Sequence, residues 1–233
     1  MSSAGPASYN EPECPLCGDA GITYGIKEDG SVDYGSVVPC ACREEEVNKR
    51  RAESMMRYCQ LPEKTEGKIF ETFKSKTKSI GEAKTMAYKL AKGDEDIIFL
   101  TLMSETGLGK SHLCIAICRE WLKRGLPAKY CYVPELLDDI RGSYRKDEVT
   151  GQSHSQLLDM LGKVPLLVLD DLGTEKKSDW ACETLQTIID RRARSALPLV
   201  VTTNKALDEL PNDPEGRIAS RLKRESWCKV VVI

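Results

Sequence analysis

From Asp96 onward the chain repeats one pattern: a short continuous apolar run, a turn, and then a stretch long enough for a helix. The runs fall at 97–103, 128–133, 164–169, 198–203 and 229–233. Half-buried strands alternate apolar with polar residues, and these do not, so each run reads as a strand covered on both faces. Strands of that kind separated by helices make a parallel sheet with helices on either side, an α/β domain. The helices are expected at 110–124, 134–144, 155–161, 179–193 and 215–223. In the first of them Leu113, Ile117, Trp121 and Leu122 recur at helical spacing.

No apolar run approaches the roughly 20 residues needed to cross a bilayer. The first 30 residues carry no signal pattern. A cytoplasmic protein without membrane contact is therefore expected, and 34 basic against 36 acidic residues exclude a uniformly basic nucleic-acid coat. Any affinity for nucleic acid must come from local patches. Ten cysteines in a reducing compartment do not form a disulfide frame, so metal binding or burial has to account for them.

Four domain segments are expected. Residues 1–10 are small and polar and read as a disordered lead. Residues 11–45 form a zinc-binding module, with Cys14-Pro15-Leu16-Cys17 followed after 22 residues by Cys40-Ala41-Cys42. Two close pairs of thiolates suit tetrahedral Zn²⁺ at a structural site, and the glycines between them suit the hairpin turns of a small ribbon. The second pair is C-x-C, which leaves Cys59 open as a substitute ligand. Residues 46–95 read as a basic helical linker, since Lys64 to Lys92 contains eight lysines and three glutamates. The zinc module has the opposite charge, with six acidic groups and one basic group between residues 11 and 42. Residues 96–233 form the sheet domain.

The first buried strand runs into Ser104-Glu105-Thr106-Gly107-Leu108-Gly109-Lys110-Ser111, and a helix follows. Glycines there let backbone N–H groups curl round phosphate oxygens at the positive end of the helix. Lys110 can reach the β and γ phosphates, and the Ser111 hydroxyl can ligate Mg²⁺. Serine stands at position 104, where the phosphate-loop pattern has glycine, and is expected to cost some backbone freedom. The third run ends in Asp170-Asp171, and a buried strand that delivers paired carboxylates to its end needs a cation there. Asp170 would hold Mg²⁺ through water, and Asp171 would polarise the attacking water. Asn204, after the fourth run, can sense the γ-phosphate. Arg217 and Arg221 share one helix face, where an arginine can stabilise transition-state charge on a neighbouring subunit. Arg141, Tyr144, Arg145 and Lys146 form a basic cluster with one stacking ring, a candidate path for single-stranded DNA.

Several stretches in order carry a resemblance: Gly107 through Leu113, Tyr132-Val133-Pro134-Glu135-Leu136-Leu137, Leu167 through Gly173, Asp190-Arg191-Arg192, Thr202-Thr203-Asn204 and Arg217-Ile218-Ala219-Ser220-Arg221-Leu222. Together they resemble the AAA+ ATPases of the replicative helicase-loader family (the DnaC and DnaI type), with the IstB transposition helpers close by. The likeness runs from about Phe70 to the end, roughly 160 residues. It implies an AAA+ P-loop fold with a five-stranded parallel sheet, no C-terminal lid, and a small N-terminal zinc ribbon. It also implies an ATPase that uses ATP, Mg²⁺ and Zn²⁺ and loads a replicative helicase onto single-stranded DNA. Carried over by position, Thr106, Gly107, Leu108, Gly109, Lys110, Ser111 and His112 hold ATP, and Ser111 and Asp170 hold Mg²⁺. Asp171 activates water, Asn204 is the sensor, and Arg221 is the finger in trans, with Arg217 in reserve. The zinc end engages the helicase, and subunits assemble through the ATP site. Aspartate at 171 stands where most AAA+ proteins carry glutamate, so slow turnover is expected. The alternatives are an IstB-like helper of a transposase and a nucleotide-binding adaptor without turnover.

Overall fold

The computed structural model describes residues 13–143, 154–211 and 213–233. The chain divides into two compact units, one ending at Ser54 and one running from Met55 to Ile233.

The first unit is a ribbon. β1 (Ile22–Ile26) and β2 (Val32–Pro39) pair antiparallel, with a bulge between Tyr24 and Gly25. At the turn the Asp29 carboxylate accepts from the Ser31 N–H at 2.9 Å, and Gly30 adopts a φ of 82°. Most of the ribbon's large apolar side chains face outward, with Tyr24 and Tyr34 edge to face at 5.0 Å. Its only buried hydrophobes among the described residues are Cys14 and Cys40. So small a core contributes little to the ribbon's fold by apolar burial. α1 (Glu44–Cys59) follows, with Glu44, Glu45 and Glu46 in its first turn opposing the positive end of the helix dipole.

The second unit is built on β3 (Phe99–Met103), β4 (Ala128–Tyr132), β5 (Leu166–Leu172), β6 (Leu199–Thr203) and β7 (Cys228–Val232). All pairings are parallel, in the order β4-β5-β6-β3-β7. The helices are α2 (Lys78–Lys92), α3 (Lys110–Lys123), α4 (Val133–Ser143), α5 (His154–Lys163), α6 (Asp179–Arg194) and α7 (Arg217–Lys223). Successive strand residues feed opposite cores. Leu166 and Val168 pack with α2 and α3, whereas Leu167 and Leu169 pack with α4 to α7. That two-sided burial is why the strands show no polar alternation, and each such aliphatic side chain contributes about 1.5–3 kcal/mol. The parallel order brings the ends of β5, β6 and β3 side by side at one edge of the sheet.

The segment expected as a basic linker, 46–95, is divided by the structure. Met55 onward belongs to the second unit, and α2 buries Ile80, Ala83, Ala87, Leu90 and Ala91 in its core. Four of the eight lysines, Lys78, Lys84, Lys89 and Lys92, lie on that amphipathic helix and none of them is buried, so its charge marks the face turned from the core. Among the described residues no helix is long and apolar enough to cross a membrane.

Candidate nucleotide and metal sites

The loop between β3 and α3 is shaped by two left-handed glycines, Gly107 at a φ of 90° and Gly109 at 95°. A Cβ on Gly109 would also lie 2.7 Å from the Phe73 ring, so only glycine fits. Ser104 is not among the positive-φ residues, and the expected cost of serine there is not seen. Its hydroxyl donates to the Glu105 carbonyl at 2.9 Å and accepts from Lys110 Nζ at 3.0 Å.

Lys110, buried at the start of α3, also donates to the Ser104 carbonyl at 2.8 Å, the Glu105 carbonyl at 2.9 Å and Asn204 Oδ1 at 2.6 Å. Burial pushes its amine below the usual lysine range, and the Asp171 and Asp170 carboxylates oppose that shift. Asn204 stands just beyond β6, and its Nδ2 donates to Asp171 Oδ1 at 2.9 Å. The amide therefore joins the lysine to the second acid. Ser111 is exposed on the first turn of α3. His112 Nε2 donates to the Ile69 carbonyl at 2.9 Å, and its ring meets Phe73 edge to face at 5.1 Å. Residues Ile69 to Phe73, which the sequence reading placed in a linker, thus flank the glycine loop.

Asp170 and Asp171 differ sharply. Asp170 is buried, its Oδ1 accepting from Thr202 Oγ1 at 2.5 Å and its Oδ2 from the Tyr130 hydroxyl. Asp171 has a left-handed backbone with φ of 66°, where the β5–β6 register shifts between Leu169 and Leu172. That bulge turns its N–H onto Thr202 Oγ1 at 2.8 Å and sets its carboxylate beside Asn204. Sequence reasoning missed Tyr130 and Thr202. Their signal was a hydroxyl-bearing residue inside an otherwise buried strand.

Arg221 lies elsewhere, its Nε donating to Asp190 Oδ1 at 2.5 Å in a cavity of about 290 Å³ also lined by Arg194, Arg224 and Trp227. Arg217 pairs with Glu215. Arg141 stacks on Trp180 at 4.7 Å and lies 4.0 Å from Asp138. The rest of the expected DNA cluster, Tyr144, Arg145 and Lys146, falls outside the described residues. A larger cavity of about 1170 Å³ runs along β4 between Tyr58, Tyr132, Glu135 and Met160, away from the glycine loop.

In the first unit the thiols of Cys14, Cys17, Cys40 and Cys42 all lie within 4.8 Å of one another. Cys14 and Cys40 are 3.7 Å apart and Cys17 and Cys42 3.6 Å. Bonds of about 2.3 Å from four sulfurs to one tetrahedral zinc give a similar separation, so the donor set fits that ion. The Gly21 N–H donates to Cys17 Sγ at 3.3 Å. Backbone amides of Cys17 and Leu16 pull the Cys14 thiol down to about 7, whereas sharing a hydrogen bond with Cys17 pushes Cys42 up to about 12. Cys59 is not in the cluster. It is buried in the core of the second unit.

A glycine loop feeding a helix, with paired acids at the end of a nearby parallel strand, defines a P-loop ATP-binding protein of the AAA+ class. Residues 27–212 match the family described as IstB-like ATP binding protein, and the chain belongs to that family. The replicative helicase loader DnaC of Escherichia coli strain K12 is 31% identical over 130 residues, 56% of this chain and 52% of that protein. The replicative helicase loader DnaI of Bacillus subtilis strain 168 is 30% identical over 112 residues, 48% of this chain and 34% of that protein. The chain thus spans about half or less of the length of these curated relatives. A crystal structure of DnaI superposes with a TM-score of 0.63 at 24% identity, covering 75% of this chain and 95% of that one, a likeness of fold.

Proposed function

We propose that this chain is an ATP-hydrolysing loader that delivers a replicative helicase to single-stranded DNA. The observation that carries the reading is the convergence of Lys110, Asn204 and Asp171 beside Asp170, from three strand ends that the sequence keeps far apart. The four acceptors now around Lys110 Nζ are replaced by β and γ phosphate oxygens, while backbone N–H groups of the glycine loop cradle the chain of phosphates. Asp171 takes the proton of the attacking water, and ATP and water become ADP and phosphate. Asn204, already joined to both Lys110 and Asp171, registers whether the γ-phosphate is present.

A buried carboxylate whose hydrogen-bond donors are two neutral hydroxyls fits a divalent cation. Asp170 and Ser111 would hold Mg²⁺, which supplies charge neutralisation at the phosphates. Cys14, Cys17, Cys40 and Cys42 would hold Zn²⁺ and so fold the ribbon, whose acidic surface suits a protein partner.

Subunits assemble through the ATP site, and Arg221 completes it in trans. The topology supports this. α6 leaves the nucleotide edge at Asp179 and runs back along the sheet, so Asp190 and its partner Arg221 sit ~16 Å down that helix at 1.5 Å per residue. That separation along α6 supports a role for Arg221 at a neighbouring subunit's site.

The test measures ATP binding and hydrolysis by the full chain and by Lys110→Ala, then asks which protein is captured with it from the source cell. Hydrolysis abolished in the variant, together with capture of a replicative helicase, supports the loader. The family match favours a second reading, a helper of a transposase. Capture of a transposase and stimulation by duplex DNA would select that one.

A further inference from the structure

We propose that Tyr130, which belongs to no nucleotide-binding motif, is a positioning residue for Asp170: with Thr202 it pins the carboxylate between two strands and aims its free lone pairs toward the magnesium side. The inference rests on the nucleotide reading above and deepens it.

Asp170 closes the apolar part of β5, and the strands on either side each send it one hydroxyl. Tyr132 on β4 lies in register with Asp170, and Tyr130 lies two residues earlier, opposite Val168. Two residues along a strand return to the same face, and a phenol is long enough to reach forward to the carboxylate. Its hydroxyl donates to Oδ2. From the other side Thr202 of β6 donates to Oδ1 at 2.5 Å and accepts the Asp171 N–H at 2.8 Å. One chain of donors thus fixes both acids: the Asp171 amide to Thr202, Thr202 to Asp170, and Tyr130 to the opposite oxygen. Each carboxylate oxygen accepts one of these bonds and keeps acceptor capacity free. With both oxygens tied from opposite strands the group cannot rotate about its own axis.

Tyr130 is itself only 7% exposed. A group that merely satisfied a buried hydroxyl would affect stability with or without metal. A group that aims a carboxylate changes the metal requirement, because hydrogen-bond partners of a ligand set its orientation and basicity.

The experiment follows binding of a fluorescent ATP analogue to the full chain over a Mg²⁺ titration and again in EDTA. Tyr130→Phe is expected to raise the Mg²⁺ midpoint roughly tenfold to hundredfold while the affinity in EDTA moves less than about twofold. Thr202→Val should do the same, and Thr202→Ser, which keeps the hydroxyl, should restore the parent midpoint. This pair carries the test if Tyr130→Phe does not fold. A Mg²⁺ midpoint unchanged in Tyr130→Phe and Thr202→Val, or an equal loss with and without Mg²⁺, overturns the positioning role while leaving the nucleotide site standing. A parent chain that binds no analogue under either condition overturns both.

Discussion

Replacing Arg192 with leucine should lower the unfolding free energy of the second unit by about 2–4 kcal/mol. Arg192 is 0% exposed, although it sits in the last turn of a helix otherwise lined with surface charge. Its Nη1 donates to the Leu161 carbonyl at 2.8 Å and its Nη2 to the Pro198 carbonyl at 2.6 Å, with a longer contact of 3.4 Å to the Pro165 carbonyl. One guanidinium therefore ties the end of α5 to the loops that launch β5 and β6. Leucine leaves the Leu161 carbonyl without that donor, at roughly 1–3 kcal/mol for a buried orphan, whereas the Pro198 carbonyl still accepts the Leu167 N–H at 3.2 Å and loses only its second bond. The orphaned Leu161 carbonyl, the weakened Pro198 carbonyl and the long Pro165 contact set the range. Its lower part is favoured because removing the cation also relieves the burial that depresses its pKa to about 10. Arg191 next to it supplies the control. It pairs with Asp159 at 2.7 Å while 35% exposed, so Arg191→Ala should cost less than about 1 kcal/mol. Urea titration followed by tryptophan fluorescence isolates the right unit, since Trp121, Trp180 and Trp227 all lie in it. A cost below about 1 kcal/mol for Arg192→Leu, or one equal to that of Arg191→Ala, refutes the reasoning.

Asp171→Asn keeps a residue type that tolerates the left-handed backbone, so it should bind ATP as the parent does while turnover falls at least about a hundredfold; unchanged turnover removes Asp171 from the chemistry. Arg221→Ala should lose roughly a thousandfold in turnover, and only at concentrations where subunits assemble; parent-like rates throughout a dilution series exclude a role in trans. Purified chain should carry one zinc, measured by atomic absorption, and chelation should erase the ordered amide resonances of the ribbon; a Cys40→Ser chain that retains both the metal and those resonances contradicts the four-thiolate site.

The loop from Ser104 to Ser111, the paired acids and the pairing of cysteines by close spacing were all legible in the sequence. Each is a local arrangement in which a few neighbouring residues must share one geometry. Continuous apolar runs likewise revealed strands buried on both sides, because burial leaves its period in the residues themselves. The lysine-rich stretch before them misled for a related reason. Charge marks the wet face of a helix whether or not the other face is packed, and α2 packs its other face into the core.

Only the tertiary structure decided how the strand ends meet. Tyr130 and Thr202 lie 40 and 32 residues from Asp170, and Lys110 lies 94 from Asn204, so nothing in their spacing announces contact. The strand order β4-β5-β6-β3 closes those distances, and the bulge at Asp171 then turns one acid toward Asn204 and leaves the other between two hydroxyls. Sequence records which groups need a partner, because burial and charge are properties of each residue. Which partner answers is settled by non-local packing of the sheet, where a buried polar group must find a hydrogen bond or pay for its desolvation.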